Sequence, residues 1–201
     1  MNVRRMTHND VNEVTDAHLR AFKGYLNASI GRSYVFEFLR WFINSPIGIS
    51  LVLEFEGKLI GYVVGAKLGY NKELNKALLK TGIISIVTHP GVLFHRHFIG
   101  NVRNRLKSLF SKGTKFEGAN IEPAGSGVSL VGIAIDPHCS KKGGGSLLIK
   151  AFENESIQAR YNYMKLSVYA INQSALNLYT RNGWQLLSNE SPVLYYYKVI
   201  G

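Results

Sequence analysis

The chain is poor in cysteine, proline and acid. Its 201 residues hold one cysteine, five prolines and 13 acidic residues. The lone Cys139 excludes an intramolecular disulfide and a multi-cysteine zinc site. No metal is expected. No stretch approaches ~18 uncharged apolar residues, so no membrane-spanning helix is expected. The opening MNVRRMTHNDVNEV lacks the apolar core of a signal peptide, and a reducing cytoplasmic compartment is the expectation. What is present is an ordinary globular balance. Apolar residues make up 46%, with 11 Tyr and 10 Phe, which excludes global disorder. The length fits one domain over residues 1–201.

Acid is scarce against 24 Lys and Arg, so the net charge is +11. The excess is local. Between Lys67 and Lys115 stand ten basic residues and a single acid, Glu73, so +9 of the charge belongs to 49 residues. Such a field attracts anions: a nucleotide diphosphate, an acidic lipid surface or nucleic acid. A solvated basic face that only keeps the chain soluble is the plainer alternative.

Apolar spacing predicts the elements. A short strand at Val3–Thr7 precedes a helix capped by Asn9 or Asp10, with Val11, Val14, His18, Ala21 and Phe22 on one face. A second helix runs over about 33–44, closed by Pro46. Two strands, Ile49–Phe55 and Lys58–Ala66, turn at Glu56-Gly57. The basic segment about 67–115 then reads as a helical insertion. Leu74, Ala77 and Leu78 lie opposite Lys72, Lys76 and Lys80. Ile83–Val87 is apolar and broken by Thr88-His89-Pro90-Gly91. A further amphipathic stretch runs from Phe98 to Phe110. Strand, glycine loop, helix, strand, helix and two closing strands follow, an α/β layer.

The glycine loop carries the most chemistry. The buried strand Val128–Ile135 leads through Lys141 and Lys142 to Gly143-Gly144-Gly145 and a helix. Glycine lets backbone N–H groups approach an anion, and a helix N-terminus adds unpaired donors and partial positive charge. The nucleotide-binding P-loop pattern fails because no lysine follows the glycines. The dinucleotide fingerprint fails for want of a third spaced glycine.

Here the chain resembles the GNAT superfamily of acetyl-CoA-dependent acetyltransferases. The family's strand end and loop are matched by Ile135-Asp136-Pro137 and by Ser140-Lys141-Lys142-Gly143-Gly144-Gly145. Ser140 replaces the usual Arg or Gln, and Lys141 replaces a common glycine. A second signature, Asn-x-x-Ala-x-x-Leu/Phe-Tyr-x-x-x-Gly-Phe, is matched by Asn172, Ala175, Leu178, Tyr179 and Gly183, with Trp184 for Phe. The resemblance implies a mixed, mostly antiparallel twisted α/β sheet of about six to seven strands. Helices would cover both faces, and two central parallel strands would splay into a V. Pantetheine would pair with the main chain of Ile133, Ala134 and Ile135. The pyrophosphate would sit on Ser140, Lys141, Lys142, Gly143, Gly144, Gly145 and Ser146. Asn172 and Ala175 would border the cofactor, although capping alone explains an Asn there.

The implied reaction is direct acetyl transfer to a primary amine, with Tyr179 as the acid that protonates the CoA thiolate. A core tyrosine on an apolar helix face is the alternative. Cys139 need not be a nucleophile. Glu122, His18 and His89 are candidate bases, and none is singled out. The stretch His18–Asn27 looks like that of members found with surface-polysaccharide genes. That implies an amino-sugar acceptor, nucleotide- or lipid-linked and anionic, with Phe22 and Tyr25 stacking on it. Both could equally be hydrophobic staples. The basic insertion would hold the diphosphate or lie on an anionic membrane at its inner face. Protein or peptide N-acetylation is a second reading. A non-catalytic CoA-, lipid- or nucleic-acid-binding module is a third; no nucleic-acid module is recognised.

Overall fold

The computed structural model describes residues 1–23, 31–88, 125–139 and 143–201. Seven strands form one sheet in the order β1-β2-β3-β4-β5-β7-β6. They are β1 Asn2–Arg5, β2 Gly48–Phe55, β3 Lys58–Lys67, β4 Gly127–Ile135, β5 Tyr163–Tyr169, β6 Gln185–Glu190 and β7 Val193–Val199. Five α-helices accompany them among the described residues: α1 Val11–Ala21, α2 Arg32–Asn44, α3 Asn71–Thr88, α4 Gly144–Gln158 and α5 Gln173–Arg181.

The periodicities explain the layers. Val11, Val14 and His18 recur at helical spacing and are buried on α1. Tyr34, Val35, Phe38, Leu39 and Phe42 do the same on α2. With Tyr62 and Val64 of β3 they form one core. The other face of the sheet packs Ile60 and Val63 against Leu148, Ile149 and Phe152 of α4 and Tyr179 of α5. Strand β3 is buried on both sides, and its run from Leu59 to Ala66 reads as a near-continuous apolar segment. Asp10 precedes α1, but its carboxylate bonds outward to Arg4 at 2.7 and 2.8 Å and to the Thr7 N–H at 2.7 Å. The first strand is thereby fastened to the first helix.

One boundary differs from expectation: strand β3 extends through Lys67, so the first residue of the basic stretch belongs to the sheet. The stretch then continues as one helix, α3, through the apolar Ile83–Val87 segment. Leu74 and Leu78 of α3 are buried in the core with α2. The start of the basic stretch is therefore part of the fold, not an appendage. The Phe98–Phe110 stretch lies outside the described residues.

The splay is present. Strands β4 and β5 pair in parallel only at Gly127–Tyr163, Val128–Met164 and Ser129–Lys165. Beyond that, β4 stays paired to β3 as far as Ile135, and β5 stays paired to β7 as far as Tyr169. Their facing edges separate and leave main-chain groups unpaired toward each other.

Candidate functional site

The V between β4 and β5 opens into a cleft of about 750 Å³. One wall is the separated edge of β4 from Val131 to Ile135, with Pro137 beyond it. The opposite wall is Ser167, Val168 and Tyr169 of β5. At one end lie Gly145 of α4 and Asn172, Ala175, Leu178 and Tyr179 around α5. At the other lie His18 and Ala21 of α1, Phe22 beside it, and Phe38 of α2. The two parallel strands thus bring both signature segments and the first helix pair to one opening.

The expected residues that fall among the described ones are placed as follows. Ile133, Ala134 and Ile135 line the cleft through the strand edge that β5 leaves unpaired. An extended amide-bearing chain could pair there as an added strand. Gly143 is the residue before α4, in a left-handed conformation (φ +91°) that glycine adopts without strain. Gly144 and Gly145 have packing reasons the sequence did not reveal. A Cβ on Gly144 would stand 2.9 Å from Leu53 Cδ2, and one on Gly145 would stand 3.1 Å from Leu178 Cδ2. The glycines let α4 close onto the sheet and α5. Among the described residues no side chain caps α4. Its first free donors, near Gly144, Gly145 and Ser146, remain available to an anion. Ser140, Lys141, Lys142 and Tyr25 lie outside the described residues, as do Glu122 and His89.

Asn172 caps α5: its Oδ1 accepts the Ala175 N–H at 3.1 Å. It also lines the cleft. Asn182, which sequence reasoning passed over, donates to Ser146 Oγ at 3.0 Å and to the Leu178 carbonyl at 2.8 Å. It ties the end of α5 to the start of α4. Tyr179 is 6% exposed and sits 5.9 Å from the Trp184 ring. Burial pushes its phenol up to about 12. Its hydroxyl makes no hydrogen bond among the described residues and is therefore available to the cleft. Phe22 packs on the His18 ring at 4.6 Å.

Two further pairs involve α1. His18 is 4% exposed, and burial lowers its imidazole to about 4, so it is neutral at pH 7. Its Nδ1 stands 2.5 Å from the Tyr62 hydroxyl. Tyr62 is fully buried, and burial and then Tyr179 hold its phenol far above the usual range. Asp136, just past β4, is bonded by Arg20 of α1, whose Nε donates at 3.1 Å, and by the His138 N–H at 3.0 Å. Arg20 keeps that carboxyl below the usual range. Among the described residues no Asp, Glu, Lys or Arg side chain lines the cleft. Among the described residues no group of His, Cys, Asp and Glu forms a metal-ligand cluster, and no helix is long and apolar enough to cross a membrane.

Residues 111–184 match the sequence model of the acetyltransferase (GNAT) family. That match, with this cleft, supports an acetyl-CoA-dependent N-acetyltransferase. Solved structures share its architecture at low identity. PaiA N-acetyltransferase from Thermoplasma acidophilum, in complex with coenzyme A, is 11% identical, with a TM-score of 0.60 and 98% of each chain covered. Ribosomal-protein-alanine N-acetyltransferase from Brucella melitensis is 12% identical, with a TM-score of 0.58 and both chains fully covered. SsHAT is 16% identical, with a TM-score of 0.67, covering 98% of this chain and 97% of its own. At these identities the likeness is one of fold. A search of curated proteins returned no match.

Proposed function

We infer that the chain moves an acetyl group from acetyl-CoA to the primary amine of an amino sugar carried on a nucleotide or lipid. The carrying observation is the shape and lining of the cleft. One end has the free strand edge and the uncapped start of α4, which suit pantetheine and pyrophosphate. The other end offers the flat rings of Phe22 and Phe38 and the neutral His18, which suit the C–H face of a sugar. The amine enters between them and attacks the thioester carbon directly. Tyr179, protonated across the physiological range, gives its proton to the departing thiolate as the C–S bond breaks.

The exposed Lys72 and Lys76 of α3, and the remaining basic stretch, favour an acceptor with a diphosphate. A protein N-terminus is the second reading, favoured by the fold shared with the alanine N-acetyltransferase. The test is CoA release from acetyl-CoA against two panels, uridine-diphosphate-linked amino sugars and peptides beginning with alanine. Turnover on a sugar supports the reading. Turnover on peptides alone discards it in favour of the second.

A further inference from the structure

A glycine inside a strand costs stability, because it packs no side chain and loses the most freedom on folding. Crowding accounts for the other strand glycines among the described residues. A Cβ would stand 2.3 Å from a neighbouring atom at Gly48 and Gly65, 2.4 Å at Gly127 and 2.6 Å at Gly61. Gly132 of β4 is different. Its φ lies outside the left-handed region. A Cβ there would meet nothing closer than Val64 Cγ2 at 3.5 Å and the Tyr62 hydroxyl at 3.8 Å, which are ordinary contacts. The ladder slips by one residue at Val131, since Val64 faces Gly132 and Gly65 faces Leu130. Only a bulge with a left-handed residue calls for glycine. Neither strain nor crowding therefore requires Gly132, and it lines the cleft.

We propose that Gly132 determines acceptor specificity: the side chain it lacks leaves the place where the acceptor's amine-bearing carbon comes over β4. The proposal rests on the N-acetyltransfer reading above. The missing side chain would stand off the sheet face that carries Tyr62 and Val64, the face packed by α1 and α2. On that side the cleft is lined by Ala21, Phe22 and Phe38. Ala134, two residues along and packed toward the same core, is also small. Helix α4 starts beyond the Ile135 end of β4, so an arm anchored at that start runs back along the free edge. Its sulfur end then comes to rest toward Gly132. The arm itself would not meet a Cβ at 132, because strand hydrogen bonds lie in the plane of the sheet and side chains stand off it.

The gap selects by the branching of the amine. An amino sugar's nitrogen stands on a ring carbon with two carbon neighbours, so the ring comes down on the strand with the nitrogen. An unbranched amine ends in a CH2 group and can turn its chain away. A methyl group at position 132 excludes the first kind before the second. One methyl group in a packed substrate site shifts selectivity by about 10- to 200-fold.

The test needs no turnover. Two conjugates of coenzyme A serve as probes, with the sulfur joined through a CH2–C(=O) bridge to the nitrogen of glucosamine or of ethylamine. Their binding to wild type, Gly132→Ala and Gly132→Val is measured by calorimetry beside that of coenzyme A alone. Gly132→Ala is expected to melt at or above the wild-type temperature, since the strand gains a side chain and meets no clash. It should bind coenzyme A and the ethylamine conjugate within about twofold of wild type, and the glucosamine conjugate about tenfold more weakly, with a larger loss in Gly132→Val.

A clearly lower melting temperature for Gly132→Ala would mean that the fold needs the glycine, and overturns the proposal. An equal loss for coenzyme A alone would put the pantetheine arm over Gly132 in place of the acceptor, and also overturns it. Equal weakening of both conjugates, or of neither, overturns it too, while retained binding of coenzyme A leaves the acetyl-transfer reading standing. A wild type that binds neither coenzyme A nor a conjugate fails that reading, and the proposal with it.

Discussion

A phenol raised to about 12 is protonated at every pH a cell reaches, so Tyr179 holds a proton to give in the proposed reaction. Tyr179→Phe keeps the ring against Trp184 and removes only the proton. It is expected to lower kcat about 100-fold or more with acetyl-CoA affinity changed less than about twofold, measured by thiol release and by direct binding. An unchanged kcat would remove the role. His18 makes a separate prediction about stability. Its folded value of about 4 lies below the ordinary histidine value of 6.5, so the unfolded chain binds more protons between them. The stability tied to the neutral ring is complete above pH 6.5. It is lost as pH falls toward 4, about 3 kcal/mol at full extent. Urea unfolding at pH 7, 5.5 and 4.5 should show a steeper loss for the wild type than for H18Q. Tyr179 was legible because it stands inside a spaced motif. Tyr62 was not, because one tyrosine on an apolar strand carries no local mark, and only the fold sets it beside His18 and Tyr179.

The end of β4 is where the two halves of the cleft are held in register. Asp136 takes the Arg20 guanidinium from α1 and the His138 N–H from its own turn, so one carboxylate joins α1 to the turn that follows β4. Asp136→Asn can still accept the N–H but leaves Arg20 facing a neutral amide. The expected result is a loss of about 1–3 kcal/mol in urea unfolding, and a rise in KM for acetyl-CoA larger than the fall in kcat. Unchanged stability and KM would reduce the pair to a surface contact. Elements with strong periodicity were legible at this scale. The α1 and α2 stripes, the hairpin at Glu56-Gly57 and the Asn172 cap follow from local residues. The glycines after residue 142 were read for their backbone. The side chains of Leu53, Ile135 and Leu178 that require two of them come from distant segments. The run of α3 through Ile83–Val87 was not legible, because five apolar residues in a row carry no period of their own.

Across the whole molecule, the order β5-β7-β6 inserts the last strand between its two predecessors, and no local pattern encodes that choice. Pairing of β5 with β7 over its full length frees the other edge of β5, and three parallel pairs with β4 set where the V begins. Charge is a second property of the whole. The cleft is neutral among the described residues, while Lys67, Lys72 and Lys76 stand exposed around the start of α3, whose other face carries the buried Leu74 and Leu78. A basic surface acts on an anionic substrate at a distance, and salt screens it over about 8–10 Å at 0.10–0.15 M. A uridine-diphosphate-linked amino sugar should therefore show a KM that climbs several-fold between 50 and 500 mM NaCl, with kcat little changed. Free glucosamine, which has no phosphate to attract, should show no such climb. Charge reversal at Lys72 and Lys76, both exposed and outside the cleft, should flatten the climb for the nucleotide-linked sugar and leave the glucosamine constants alone. Equal salt dependence for both acceptors would mean that the positive field serves solubility or another surface, and that the diphosphate is not what this face of the molecule attracts.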